Sequence, residues 1–110
     1  MCTITARADI DRLFAEGRRR GQRAVLVIIS ETPEARDPHG RVLFVAGKRL
    51  GSAVQRNRCK RVLREAVRRT GGPWPGLDVA LVAKAGTAVA SPDDLDDSIR
   101  RALTPADLVR

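Results

Sequence analysis

Asn57, Lys60, Arg61, Arg64 and Arg68 fall at spacings that line one side of a helix, with Arg56 and Arg58 beside them. Guanidinium forks hold phosphate oxygens in pairs, and a lysine ammonium adds a mobile point charge, so such a row is built to grip a polyanion. Lys48 and Arg49 stand just ahead of it, and the window from Lys48 to Arg69 holds nine basic residues against one acid, Glu65. The whole chain carries 21 Lys and Arg against 13 Asp and Glu, a net charge of +8, so outside this window the charges balance to zero. Charge confined to one element assigns a polyanionic partner to that element. A merely solvated helix face mixes signs at i to i+4 spacing, and here only Glu65 interrupts the positive row. Gly47 and Gly51 flank the window, where a missing side chain lets backbone approach a neighbouring segment or a phosphate.

Other chemistries find little support. His39 is the single histidine, set between Pro38 and Gly40 with no companion positioned by sequence, and general-base work needs such a partner. Asp93, Asp94, Asp96 and Asp97 open a helix, where complementing the N-terminal dipole explains them more simply than a cation site does. Cys2 and Cys59 have no metal-ligand spacing and are not expected to form a disulfide; Cys59 falls on the apolar side of the basic helix. There is no Ser-His-Asp, Cys-His, Walker or glycine-rich nucleotide motif. The residues therefore predict no catalytic group, no metal ligand and no small-molecule ligand in this chain.

The elements that must position the basic row follow from periodicity. A length of 110 residues bounds the chain to one domain, 1–110, with ends 1–6 and 105–110 expected to be loose. Hydrophobic content of 43% beside 31% charged residues fits a folded protein. The start has no apolar signal-peptide core and the longest apolar run is Ala24 to Ile29, so neither secretion nor membrane spanning is expected, and a cytoplasmic location is. Asp9 to Glu16 reads as a short helix with Ile10, Leu13 and Phe14 on one face and Gly17 as its C-cap. Arg18 to Arg23 reads as a basic connection, Ala24 to Ser30 as a strand and Glu31 to Gly40 as a loop. Arg41 to Gly47 reads as a second strand, and the loop length suits an antiparallel pairing with the first. The basic helix enters through Gly51-Ser52, with Ser52 as N-cap and Cys59, Val62, Leu63, Ala66 and Val67 as its buried stripe. Thr70 to Gly76 breaks it, with Trp74 anchoring the turn between two prolines. Asp78 to Lys84 is a further strand, and Ser91-Pro92 opens a last helix whose inward residues are Leu95, Ile99, Ala102 and Leu103. Strand, helix, strand, helix in the second half means a layered α/β domain.

The run KRLGSAVQRNRCKRVLRE, Lys48 to Glu65, matches K-[KR]-x-G-x-A-V-x-R-N-R-x-K-R-x-x-R-E without gaps and resembles the signature of the bacterial ribonuclease P protein component. Asp9-Ile10 through Phe14 and Gly17 resembles the family's first helix, and Asp78 to Lys84 its last strand. The resemblance implies an αβββαβα order, a small two-layer sandwich of about four strands with a left-handed crossover at the basic helix, ribosomal-protein-S5-domain-2-like. A left-handed crossover runs against the usual right-handed rule. It also implies a further short strand, for which Arg18 to Arg23 is the best place.

Functionally, the resemblance implies a protein subunit that binds the catalytic RNA of ribonuclease P and the 5′ leader of precursor tRNA, with magnesium acting in the RNA and no cofactor held by the protein. Lys48, Arg49, Arg56, Asn57, Arg58, Lys60, Arg61, Arg64 and Arg68 would then meet the RNA subunit. Ile10, Phe14, Val27 and Phe44 are the candidates for the leader cleft between first helix and sheet. The chain departs from the family there: Ile10 replaces an aromatic, Leu26 to Ile29 is aliphatic, and there is no Tyr, two Phe and one Trp. The family's basic N-terminal arm is reduced to Arg7. Leader recognition is accordingly expected to lean on charge more than on stacking. The rival readings are a ribosomal or general RNA-binding protein of similar plan and, less well supported, a stand-alone nuclease.

Overall fold

A computed structural model describes residues 3–32 and 39–103. The elements run α1 (Arg7–Glu16), β1 (Arg18–Gly21), β2 (Val25–Glu31), β3 (Arg41–Val45), α2 (Ala53–Arg69), β4 (Leu77–Ala83) and α3 (Pro92–Ala102), with single 3-10 turns at Lys48–Leu50 and Thr87–Val89. This is the αβββαβα order, on one mixed sheet ordered β1-β2-β4-β3. β1 pairs antiparallel with β2, and β2 antiparallel with β4. β3 runs parallel to β4, which places α2 as the crossover between neighbouring parallel strands.

That order corrects one expectation. β3 does not pair with β2; β4 inserts between them. A loop of suitable length permits a hairpin without requiring one, and here the parallel β3–α2–β4 unit takes the neighbouring position. Arg18–Gly21 is a strand, where residue pattern alone suggests a connection. Its side chains are largely exposed, because an edge strand needs only backbone pairing on one side.

The two faces of the sheet are filled differently. α2 and α3 cover one face, closing a core that includes Val25, Val27, Ile29, Val42, Phe44, Leu81, Leu63, Val67, Leu95 and Ile99. α1 crosses the other face over a smaller cluster of Ile4, Leu13, Ile28 and Ala80. Cys59, Leu63, Ala66 and Val67 form the buried stripe of α2, while Val62 packs at its rim. Leu95, Ile99, Ala102 and Leu103 are buried, and Trp74 packs into the core edge as a turn anchor. The expectation of loose residues 1–6 fails for Thr3 and Ile4. Thr3 bridges Val42, the Ile4 amide donates to the Val42 carbonyl at 2.8 Å, and Ile4 is buried. Cys2, the loop residues 33–38 and the C-terminal stretch 104–110 lie outside the described residues.

α1 is seated by two devices. Gly17 follows it with an ordinary extended backbone (φ −66°), so this C-cap is not a left-handed glycine. What requires glycine there is proximity: a Cβ would come within 2.5 Å of both the Ile28 Cγ2 and the Leu13 carbonyl oxygen. Gly17→Ala should therefore cost about 1–3 kcal/mol as α1 is pushed off the sheet. Urea denaturation measures this, and an unchanged midpoint would mean that α1 does not sit so close.

The second device is a buried ionic cluster. Arg41 donates from Nε and NH2 to the two carboxylate oxygens of Asp78 at 3.0 and 2.6 Å, and from NH1 to Asp9 of α1 at 3.0 Å. Thr32 Oγ1 donates to Asp78 at 2.9 Å, and Arg12 reaches Asp9 at 3.3 Å. The Arg41 guanidinium is raised above its ordinary pKa, chiefly by the Asp78 hydrogen bonds, with burial opposing and Asp9 adding to the rise.

Candidate nucleic-acid interface

The entry to α2 is fixed locally. The Ser52 hydroxyl accepts from the Gln55 amide at 3.3 Å, and the Gln55 side chain accepts from the Ser52 amide at 2.8 Å, a reciprocal capping box. Gly51 precedes it at φ +115°, a backbone region L side chains avoid, and a Cβ there would collide with the Gln55 carboxamide. Gly47 has an ordinary backbone and open surroundings, so no close approach explains it.

From this start, Asn57, Arg58, Arg61, Arg64 and Arg68 are exposed along α2, and Lys48 and Arg49 are exposed on the turn before it. Arg56 and Lys60 differ from expectation: both are half-buried. Arg56 shares the inner stripe with Cys59 and Leu63 at i+3 and i+7, and its Nε is buried without a hydrogen-bond partner. Arg64 lies with its guanidinium carbon 5.2 Å from the Phe44 ring centroid, so the core aromatic supports the charge from below. Val54, 79% exposed, joins Asn57, Arg58 and Arg61 around a shallow hollow on the same face.

Arg69 is the exception among these cations. It makes a two-pronged ion pair with Asp96 of α3, with contacts of 2.9 to 3.1 Å, and this hydrogen bonding raises the Arg69 pKa. Asp96 is thus buried as the partner that docks α3 on α2, rather than serving the helix dipole as expected. Asp93 and Asp94 stay in the first turn of α3, whose N-cap Ser91 accepts from the Asp94 amide at 3.1 Å. Among the described residues, no other cation between Lys48 and Arg69 has a carboxylate within ion-pair distance.

A second surface lies on the opposite face of the sheet. Ile10 and Phe14 of α1 and half-buried Leu26, Leu43 and Val82 of the sheet pack around the cluster beneath α1, where the strand register sets Leu26 beside Val82 and Leu43 beside Ala80. Of the four cleft candidates, Ile10 and Phe14 are there. Val27 and Phe44 are not: both are buried on the α2 side, Val27 in the core and Phe44 beneath Arg64. The floor residues Leu26, Leu43 and Val82 escaped sequence reasoning, because a strand buried on both faces reads as a continuous apolar run. Arg19 of β1 borders this groove, its guanidinium carbon 5.9 Å from the Phe14 centroid.

Among the described residues, no three His, Cys, Asp or Glu side chains gather as a metal-holding group, and no helix is long and apolar enough to cross a membrane. His39 is exposed in a turn.

Comparison with known proteins identifies the family. The family model for ribonuclease P matches residues 2–107. A ribonuclease P protein component of Dehalococcoides mccartyi is 33% identical over 107 residues, covering 96% of this chain and 85% of that protein. One from Symbiobacterium thermophilum is 43% identical over 85 residues, covering 74% and 70% of the two chains. The solved ribonuclease P protein of Staphylococcus aureus superposes with a TM-score of 0.78 at 23% identity, covering 100% of this chain and 99% of that one. The Thermotoga maritima protein gives 0.73 at 21% identity, covering 90% and 92%. These two structures share the fold. A capped basic helix on a four-stranded αβββαβα scaffold, matched over nearly its full length, makes this chain a member of the ribonuclease P protein family, whose members are subunits of the tRNA-processing endoribonuclease ribonuclease P.

Proposed function

We propose that the chain binds the catalytic RNA of ribonuclease P through the exposed face of α2 with Lys48 and Arg49, and takes the 5′ leader of precursor tRNA in the groove between α1 and the sheet. One observation carries the reading. Apart from Arg69, the cations of this window have no carboxylate partner among the described residues, so their charge is available to phosphate. The groove adds an apolar floor of Leu26, Leu43 and Val82, suited to unpaired bases rather than to a duplex. In this reading the bond-breaking chemistry and its magnesium belong to the RNA, in the cytoplasm where tRNA is matured. The protein's part is to bind, neutralise and align.

Mixing the purified chain with a bacterial ribonuclease P RNA tests this. Cleavage of precursor tRNA at the mature 5′ end should accelerate at magnesium concentrations where the RNA alone is slow, and the protein alone should not cleave. A general RNA-binding protein would bind the RNA and leave cleavage unchanged.

Phe44→Leu probes the Arg64 platform. It keeps apolar bulk in the core and removes the ring, so RNA-subunit affinity should fall by about 2- to 5-fold, the value of an exposed cation–π contact. Thermal melting checks that the core holds; full affinity in a folded variant would mean that Phe44 does not support Arg64.

A further inference from the structure

We infer that Arg19 is a base-stacking residue of the α1–sheet groove, presenting its guanidinium plane to one unpaired base of single-stranded RNA. The inference deepens the proposed leader reading and rests on it.

Three consecutive arginines open the edge strand β1, and the structure gives them different tasks. Arg18 pairs with Glu31 at 3.4 Å, and Arg20 donates to the Ala102 carbonyl at 2.8 Å, tying β1 to the end of α3. Arg19 alternates to the other face. Its Cα partner is Ile28, whose side chain lies in the cluster beneath α1. There its NH2 donates to the Phe14 carbonyl at 3.0 Å, and its guanidinium carbon sits 5.9 Å from the Phe14 ring centroid. Arg19 remains exposed and makes no ion pair among the described residues.

Those contacts anchor the guanidinium beside Phe14 at the edge of the α1 face, while the residue as a whole stays exposed. A planar, weakly hydrated cation of this kind stacks on nucleobases as it does on aromatic rings. Holding it in place beforehand lowers the ordering cost on binding. Phe14 is itself half-buried in the α1 cluster, and the groove floor of Leu26, Leu43 and Val82 is aliphatic. Among the described residues packed around this face, Phe14 and Arg19 offer a π-face not committed to a carboxylate. The cations that balance charge elsewhere on this face are already used: Arg41 and Arg12 are committed to Asp9 and Asp78. A base entering over the apolar floor therefore meets Arg19 as the accessible plane.

Arg19→Lys separates stacking from charge, because lysine keeps the positive charge and loses the plane. Holoenzyme reconstituted with this variant should bind a leader-containing precursor tRNA about 5-fold or more weakly than wild type, with mature tRNA bound equally by both. The salt dependence of leader binding should not change. In wild-type holoenzyme, an abasic substitution at one leader nucleotide should reproduce the loss, and on that substrate Arg19→Lys should have no further effect. Full affinity in Arg19→Lys would overturn the inference, as would an equal loss on leaders made abasic throughout, which would mark a phosphate contact. If wild-type holoenzyme bound precursor and mature tRNA equally, the leader reading itself would fall.

Discussion

Replacing Arg58, Arg61 and Arg68 together by alanine should lower affinity for the ribonuclease P RNA by about a hundred-fold while leaving the protein's melting temperature nearly unchanged. At about 1 kcal/mol per charged contact, three contacts give that factor. All three side chains are exposed and free of carboxylate partners among the described residues, so neither packing nor a salt bridge is lost with them. The electrostatic signature is more specific than the magnitude. If about five cations of α2 neutralise phosphates, log affinity should fall with log salt at a slope of about −3.5 to −4.5 in the wild type. Removing three should flatten that slope by about 2 to 3. Arg56 and Lys60 are poorer choices, because both are half-buried and alanine there would mix packing with charge. An unchanged slope in the folded triple variant would put the RNA on another surface.

The largest loss of stability should come from Arg41→Ala. Arg41, Asp9 and Asp78 are all buried, and removing the arginine takes the shared buried cation from two carboxylates, leaving Asp78 the Thr32 hydroxyl and Asp9 the half-buried Arg12. Breaking a buried pair in this way costs about 3–5 kcal/mol, a large part of a domain's total stability, and should lower Tm by more than about 12 °C. Replacing all three residues by apolar ones of similar volume should recover most of the loss, because the penalty is stranded charge and not lost attraction. The pH dependence has a definite sign. A cation whose pKa is raised on folding contributes fully below its unfolded pKa and is lost only above its folded one, so Arg41 stabilises unabated through neutral and mildly alkaline pH. Chemical denaturation of single and triple variants measures both effects. A near-neutral Arg41→Ala would mean that the cluster is hydrated rather than closed.

What sequence could and could not reveal divides along physical lines. The α2 stripe of Cys59, Leu63, Ala66 and Val67 and the Ser52 cap were legible, because helical periodicity and cap chemistry are local. The same holds for Ser91-Pro92 and the inward residues of α3. Strand neighbours were not, because hydrogen-bond partners in a sheet are chosen over long sequence separations, as β4 shows by inserting between β2 and β3. The sides of β2 and β4 were hidden too: both strands are apolar on both faces, so period-two alternation does not reveal that Val27 looks toward α2 and Leu26 toward α1. That is why Val27 and Phe44, expected on the α1 side, lie on the α2 side. The Asp9–Arg41–Asp78 cluster joins three elements far apart in the chain and leaves no local pattern. Asp96 shares the local sequence pattern of its helix-capping neighbours, and its pairing with Arg69 across the α2–α3 contact spans 27 residues of sequence.

The central claim, that the unpaired cations of α2 exist for the ribonuclease P RNA, is tested most directly by identifying what they hold. The chain and its Arg58, Arg61, Arg68 triple variant should each be isolated from bacterial cells with their bound RNA, and that RNA sequenced. Ribonuclease P RNA should dominate with the wild-type chain and be lost from the variant. Ribosomal RNA in its place, or ribonuclease P RNA retained in full by the folded variant, would contradict it.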